Sequence, residues 1–484
     1  MILEIRDHPY QYETEKLLRV FFPNEKLRIV HGEAADCGEQ AVVTTAATDT
    51  QVFVRFTDKN GVLEESAARG DDGELSIATL LFRVLQSRTG YTPKWGLLTG
   101  VRPSKLFLAL ERERGTDGAK RYFTETLLVS PEKTELASSV GAREQAVLSL
   151  SRPESCSLYV SIPFCPTRCS YCSFVSQAVS TPSARRLVPE YVRLLSREIE
   201  ETGQIAKDLG LRLESVYFGG GTPTTLSAEQ LEALLSAVQK AFDLSHLREY
   251  TVEAGRPDTV TPEKLRALRA GGVARVSINP QTFNDEILRT IGRQHTAEMT
   301  DRAFFAAREA GFSDINMDLI AGLPNESVAS FCRSVDRAVA LAPENITVHT
   351  LSLKRASTLT ADGTQFDKES AQAADEMLHY AASALGDAGF NPYYMYRQSK
   401  TLGNLENTGY TTAGHECLYN IFMMEECHTV LAAGAGAVTK LKAPHGADIS
   451  RIFNYKYPYE YIAGFAELME RKRAIPAFYE AHGI

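Results

Sequence analysis

No stretch of these 484 residues stays apolar long enough to cross a bilayer, and the opening Met-Ile-Leu-Glu-Ile-Arg-Asp-His turns charged at its fourth residue. Neither a spanning helix nor a secretory leader is expected, and a cytoplasmic protein follows. A basic excess is missing too: 52 Lys and Arg face 61 Asp and Glu, a net charge of −9 that argues against a broad nucleic-acid surface. Disulfide spacing is also lacking. Of eight cysteines, Cys37, Cys156, Cys332, Cys417 and Cys427 stand singly, which reads as small apolar packing residues in a reducing compartment. Hydrophobic content of 44% and charged content of 23% are ordinary globular values, and the length calls for about two or three domains.

What is present is concentrated. Cys165, Cys169 and Cys172 fall in Tyr159-Val-Ser-Ile-Pro-Phe-Cys-Pro-Thr-Arg-Cys-Ser-Tyr-Cys-Ser-Phe174, directly after an apolar, strand-like segment. A cubane iron–sulfur cluster has four iron corners, normally all held by thiolates, so three local thiolates leave one corner free to bind and reduce something else. Zinc suits the run less well, because it takes four tetrahedral ligands and no second Cys or Cys/His pair follows at short spacing. The three-cysteine run resembles that of the radical S-adenosylmethionine (SAM) enzymes. That resemblance implies a [4Fe–4S] cluster whose free iron takes the amino and carboxylate groups of SAM, with reductive cleavage releasing a 5′-deoxyadenosyl radical.

Residues 1–150 read as a separate N-terminal α+β domain, with strands near 27–30, 41–44 and 51–56 and a helix after Gly73 whose apolar positions recur at three and four residues through 75–85. The lone tryptophan, Trp95, precedes Arg102, Pro103 and Lys105. This group reads either as a ligand contact or as a helix start with Pro103 in first position and the indole packed on the barrel.

From 151 to 385, strand and helix patterns alternate six times. Strands are expected at 157–163, 214–219, 249–254, 274–279, 314–320 and 345–353. Helices are expected at 188–209, 227–242, 261–271, 284–291, 297–311 and 327–341. Such alternation implies a parallel sheet with right-handed crossovers, here an α/β fold built as a partial (β/α)6 barrel. Parallel barrels gather their active sites at the C-terminal strand ends. The unusual residues fall there: the cysteine loop after strand one, Gly219-Gly220-Gly221-Thr222-Pro223 after strand two, Glu253 ending strand three, Gln281 after strand four, Asp318 within the end of strand five and Ser352 near the end of strand six.

Each position has a bland alternative. The glycine run could offer backbone N–H and C=O groups to a ligand, or merely turn the chain tightly. Glu253 could accept from an ammonium or a ribose hydroxyl, or be a solvated loop carboxylate. Arg293 could clamp a carboxylate, or be a solvated helix-end charge.

Together, Tyr159…Ile162-Pro-Phe-Cys165-x3-Cys169-x-Tyr171-Cys172, Gly219-Gly-Gly-Thr-Pro-Thr224, Gln281-Thr-Phe-Asn-Asp-Glu, Ile291-Gly-Arg293 and Asp318-Leu-Ile-Ala-Gly-Leu-Pro324 resemble the oxygen-independent coproporphyrinogen III oxidase family over roughly residues 155–440. Thr99-Gly-Val-Arg-Pro-Ser-Lys, Glu253-Ala-Gly-Arg-Pro-Asp258 and Val348-His-Thr-Leu-Ser-Leu-Lys-Arg355 are most similar to its HemZ type. The resemblance implies oxidative decarboxylation of two propionates of coproporphyrinogen III to give protoporphyrinogen IX in haem synthesis, with a flavodoxin- or ferredoxin-type electron donor. By the same match, Tyr159, Gly220, Gly221, Thr222 and Glu253 would touch SAM beside the cluster, and Tyr171, Gln281, Arg293, Asp318 and Ser352 would contact a second SAM.

Two positions depart from the oxidase pattern. Phe174 stands where the oxidase branch has a further cysteine and the haem-carrying branch a phenylalanine, and Asn279-Pro280 precedes Gln281 where siblings have Gly-Val. A haem-binding chaperone without oxidase activity and a haem-directed radical SAM methyltransferase are therefore the alternatives.

The C-terminal region, 386–484, reads as an α+β extension on the substrate side. Tyr393-Tyr-Met-Tyr-Arg397 alternates like a strand, and Ala432-Ala-Gly-Ala-Gly-Ala-Val438 marks a tight turn near the cluster or close backbone packing. His415 or Cys417 is a candidate haem ligand, or else an ordinary loop residue. Lys354, Arg355 and Arg397 are candidates for the propionates of a porphyrinogen.

Overall fold

The computed structural model describes residues 1–33, 40–354, 357–361, 363, 365–398 and 400–483. Cys37 and Arg355 lie outside them. The chain divides into two compact units, Met1–Gly141 with Thr364–Asp375 and Met395–Glu406, and Ala142–Gly363 with Glu376–Tyr394 and Asn407–Ile484.

The first unit is built on a five-stranded sheet in the order Arg28–His31, Ile2–Arg6, Val42–Ala47, Gln51–Asp58, Gly61–Ala68. Three of these strands match the sequence pattern. Ile2–Arg6 and Gly61–Ala68 do not, since the latter alternates Glu, Ser and Ala and buries little. In Gln51–Asp58 the period of two is clean: Val52, Val54 and Phe56 are buried while Gln51 and Arg55 are exposed. They meet Leu17 and Leu18 of the helix Gln11–Phe21 and Ile77, Leu81 and Leu85 of the helix Gly73–Thr89 in one core. Asp72 starts that second helix by accepting from the Leu75 N–H at 3.0 Å, and left-handed Gly90 ends it.

Trp95 belongs to a second core of this unit, among Phe107, Phe123, Val129 and Met395, with its Nε1–H donating to Glu406 at 2.7 Å. The expectation that it packs on the barrel is thus corrected: it is an interior residue of the first unit. Pro103 does open a helix, Pro103–Arg121.

In the second unit, six strands run parallel in chain order: Ser155–Ile162, Arg212–Gly220, Glu249–Glu253, Arg275–Ser277, Asp314–Ala321 and Asn345–Thr350. The helices between them start where local chemistry says they should. Thr181, Ser227, Thr261, Asn284, Thr296 and Ser327 each accept from a backbone N–H of the first turn. Only the first helix departs materially. It runs Pro182–Asp208, beginning well before 188, because the Thr181 cap with Pro182 behind it sets the start while Pro189 sits within the early turns.

The C-terminal segment extends the same sheet. Glu406–Thr411 pairs antiparallel with Asn345–Thr350, and Thr429–Ala433 pairs parallel with Ser155–Ile162, a seventh parallel strand that the alternation did not announce. Val438–Lys442 and Ile449–Phe453 continue outward from it. Among the described residues no helix is long and apolar enough to cross a membrane.

Candidate functional site

The cysteine loop leaves the C-terminal end of the first barrel strand, and the second strand holds it there. Gly221 N–H donates to Ile162 O at 2.8 Å and Thr222 N–H to Phe164 O at 2.8 Å, while Thr222 Oγ1 lies 3.5 Å from Cys165 Sγ. Those two N–H groups are therefore engaged by the end of the first strand and the start of the cysteine loop. A Cβ at Gly221 would sit 2.6 Å from Phe164 O, so the third glycine is required by close backbone contact. Gly220 has φ +105, a conformation that side chains resist. Gly221→Ala is expected to cost about 1–3 kcal/mol by overpacking and to lower the iron content of the purified protein. Normal iron content in a variant of normal melting temperature would refute this.

Across the loop, Ser170 N–H donates to Ile291 O at 3.0 Å, Thr167 Oγ1–H to Gly292 O at 3.1 Å and Thr358 Oγ1–H to Ser170 O at 3.0 Å. The three thiols influence one another: burial pushes the Cys172 thiol up to about 11, and Cys169 and Cys165 add to the rise electrostatically. Among the described residues no three His, Cys, Asp or Glu side chains could hold a single metal ion. A cubane takes each thiolate on a different iron, and a coordinating metal deprotonates a thiol outright. The donor set of three loop cysteines with hydroxyl and guanidinium partners fits such a cluster.

Inside the barrel, register places Tyr159 beside Tyr217. Their rings stack at 6.3 Å between centroids, and Tyr419 stacks on Tyr217 at 4.5 Å. Tyr217 O–H donates to Glu253 Oε1 at 2.6 Å. Burial raises the Glu253 carboxyl to about 7; Tyr217 opposes the rise, Asp318 adds to it and His349 opposes it. Asp318 accepts from Asn316 Nδ2 at 2.8 Å and lies 3.7 Å from His349 Nε2. Glu253 is thus no solvated loop carboxylate.

Gln281 bridges the fourth and fifth strands, with its N–H on Asp318 O at 2.9 Å and its C=O accepting from Ile320 N–H at 3.0 Å. It does so at φ +66, a backbone strain of about 1–3 kcal/mol for a non-glycine residue. Its side-chain Oε1 and the Oδ1 of Asn279 are buried without a hydrogen-bond partner. Arg293 is buried as well, with Nη1–H donating to Asn279 O at 2.6 Å and to Gly255 O at 3.2 Å, and with Tyr171 and Cys169 acting on its guanidinium. The solvated-charge alternative is thereby removed. Burial also pushes neighbouring His295 down to about 3, keeping it neutral beside Arg293. Ser352 is half-buried two residues beyond the sixth strand.

The other candidates separate. Lys354 stays at this end, where burial lowers its ammonium and Cys172 acts on it. Arg397 does not present itself to a ligand: it is buried in the first unit, with Nη1–H donating to Leu98 O at 2.7 Å and Gly100 O at 3.2 Å, Nη2–H donating to Asn404 O at 3.2 Å, and its guanidinium over the Trp95 ring. His415 and Cys417 sit by the opposite strand ends. His415 Nδ1 lies 2.6 Å from Asp314 Oδ1, and Cys417 Sγ lies 3.3 Å from Glu249 Oε1, while Asp314 and Glu249 each open their strand.

Three residues of the site carried no role in the sequence reading. Tyr217 was legible through parity, since it shares a face with Gly219 and neighbours Tyr159. Tyr419 was not, because nothing local fixes where its helix docks. Arg256 lay inside a quoted motif without a purpose, yet its Nη1–H donates to Cys169 Sγ at 3.7 Å.

Set beside known proteins, residues 159–338 match the radical SAM superfamily. The chain is 39% identical over 401 residues to the oxygen-independent coproporphyrinogen-III oxidase-like protein HemZ of Bacillus subtilis, covering 82% of this chain and 80% of that one. It is 30% identical over 324 residues to the heme chaperone HemW of Haemophilus influenzae, covering 66% and 78%. Among solved structures, the coproporphyrinogen III oxidase HemN of Escherichia coli superposes with a TM-score of 0.52 at 24% identity, over 67% of this chain and 73% of that one, a likeness of fold.

Proposed function

Because the chain belongs to the radical SAM superfamily of oxidoreductases, in its oxygen-independent coproporphyrinogen-III oxidase-like family, we propose that it oxidatively decarboxylates propionate side chains of coproporphyrinogen III, giving protoporphyrinogen IX. Cys165, Cys169 and Cys172 would hold the cluster. Bound there and reduced by a flavodoxin- or ferredoxin-type donor, a [4Fe–4S] cluster would supply the one electron that cleaves SAM into methionine and a 5′-deoxyadenosyl radical.

The chain's own residues do the rest. Tyr159 and the Tyr217–Glu253 pair line the barrel interior beneath the loop, where the Glu253 carboxylate would accept hydrogen bonds from cationic SAM. Gly220, Gly221 and Thr222 fix the loop against the second strand. Tyr171, Gln281, Arg293, Asp318 and Ser352 would contact a second SAM at the same mouth.

The observation that carries the reading is Lys354. It is half-buried four residues past the sixth strand, where Cys172 influences its ammonium electrostatically, and it would offer a propionate a cation beside the cysteine loop. A second reading, haem carriage, draws support from Phe174, a 60% exposed aromatic ring two residues after the third cysteine.

The test is an anaerobic assay of the reconstituted protein with reductant, SAM and coproporphyrinogen III, read by mass spectrometry. Loss of two carboxyl groups matched by 5′-deoxyadenosine is the expected result. Cleavage of SAM with the porphyrinogen untouched would overturn the decarboxylase reading in favour of haem as ligand.

A further inference from the structure

The cysteine loop is gripped by a side chain that spans two strand ends. Arg256 follows the third barrel strand and is 2% exposed. Its Nε–H and Nη2–H donate to the two oxygens of Asp258 at 3.1 and 3.2 Å. The remaining donors all go to the loop: Nη2–H to Thr167 Oγ1 at 3.1 Å, and Nη1–H to Thr167 O at 3.3 Å and Cys169 Sγ at 3.7 Å. The five N–H groups of the guanidinium fork are thereby fully employed.

The three thiols are not treated alike. Cys165 meets a neutral hydroxyl of Thr222, whereas Cys169, only 8% exposed, meets a permanently charged guanidinium. Hydrogen bonds to the sulfurs, net charge and solvent exposure set the potential of an iron–sulfur cluster. A buried cation acts more strongly than an exposed one because little water screens it. Reduction adds negative charge to the cluster, so a cation fixed on one of its sulfurs favours the reduced form.

We propose that Arg256 is a positioning residue that seats Cys169 and, through its N–H···S contact, raises the reduction potential of the cluster the loop would hold. This rests on the radical SAM reading above. Asp258 belongs to the device: its carboxylate orients the fork and offsets part of the charge.

The experiment is an anaerobic redox titration of the reconstituted full-length chain with dithionite, read by the electron paramagnetic resonance of the reduced cluster, with iron and sulfide content measured alongside. Arg256→Gln is expected to load iron yet show a reduced-to-oxidised ratio about tenfold lower at a fixed potential, equivalent to about 59 mV for one electron. Arg256→Lys, which keeps the charge, recovers part of that ratio. Asp258→Asn moves it the opposite way, since it removes the offsetting charge.

A loaded Arg256→Gln cluster with a wild-type midpoint overturns the proposal while leaving the radical SAM reading intact. If Arg256→Gln loads no iron, Asp258→Asn decides: a more positive midpoint supports the proposal and an unchanged one overturns it. A wild-type chain that takes up no [4Fe–4S] cluster would bring down the radical SAM reading itself.

Discussion

Replacing Cys169 by alanine is expected to abolish both the thiolate-to-iron absorbance of the reconstituted protein and all cleavage of SAM. The effect should exceed that of removing one ligand among equals. Cys169 is the most buried of the three cysteines, and the guanidinium groups of Arg256 and Arg293 both act on its sulfur. Without the thiolate, Arg293 and Arg256 each lose a sulfur contact, Arg256 keeping Asp258 as its partner, and a hydrogen bond lost to a charged group costs about 1.5–3 kcal/mol. The loop should therefore lose its seat along with its ligand. Circular dichroism of the variant should still show the α/β fold, since the barrel core does not include the loop. Cleavage of SAM at even a few per cent of the wild-type rate, by a variant without cluster absorbance, would refute the assignment.

Glu253→Gln is expected to separate stability from function. Its carboxyl is raised from 4.5 to about 7 by burial, so the fold favours the protonated, neutral form. In the unfolded chain the group ionises near its ordinary value. The resulting destabilisation is absent below pH 4.5, grows between pH 4.5 and 7 and is complete above pH 7, where it amounts to about 3 kcal/mol. An amide carries no charge and still accepts from Tyr217 O–H, so the variant should be more stable than wild type at pH 8 by up to that amount and equal to it at pH 4.

Affinity for cationic SAM should move the other way. Losing a charge-assisted hydrogen bond costs about 1.5–3 kcal/mol, or about 10- to 100-fold in Kd. Wild-type affinity should itself fall as the pH drops below 7, while that of Glu253→Gln stays flat. Chemical denaturation at the two pH values and calorimetric titration with SAM read both halves. Equal stability at pH 8, or a flat wild-type affinity profile, would show that Glu253 is ionised in the free protein.

The barrel was largely legible because its cues are local. Six strand patterns alternated with helices whose first turns were announced by Thr181, Ser227, Thr261, Asn284, Thr296 and Ser327, and a cap acts within three residues of itself. Placing Glu253, Gln281 and Asp318 needed only parity and the polarity of a parallel sheet.

What escaped depends on register and docking. Arg397 and Lys354 look alike as lone cations in sequence, yet one is held by the carbonyls of Leu98, Gly100 and Asn404 and the other is influenced electrostatically by Cys172. His415 reads as a loop histidine until Asp314 is seen to hold it, and Asp314 opens a strand, which puts the pair at the far end from the cysteines. Gly434 illustrates the same limit. A Cβ there would lie 2.5 Å from Ser161 O, so the glycine serves close packing on the first strand, a contact visible only once the seventh strand is placed.

That seventh strand has a consequence for how the protein comes into being. Thr429–Ala433 hydrogen-bonds along the free side of Ser155–Ile162, and His428 Nε2 lies 2.7 Å from Ser157 Oγ beside it. On a ribosome the strand that launches the cysteine loop is made well before its partner, and its flank stays open until residues 429–433 have emerged. An open strand edge is a template for wrong pairings, and a pairing of such long sequence separation forms late. The nascent chain must therefore pass through an interval in which its cysteines are complete and their scaffold is not. Iron–sulfur assembly is expected to follow that pairing, and a chain truncated before Thr429 should be recovered as aggregate.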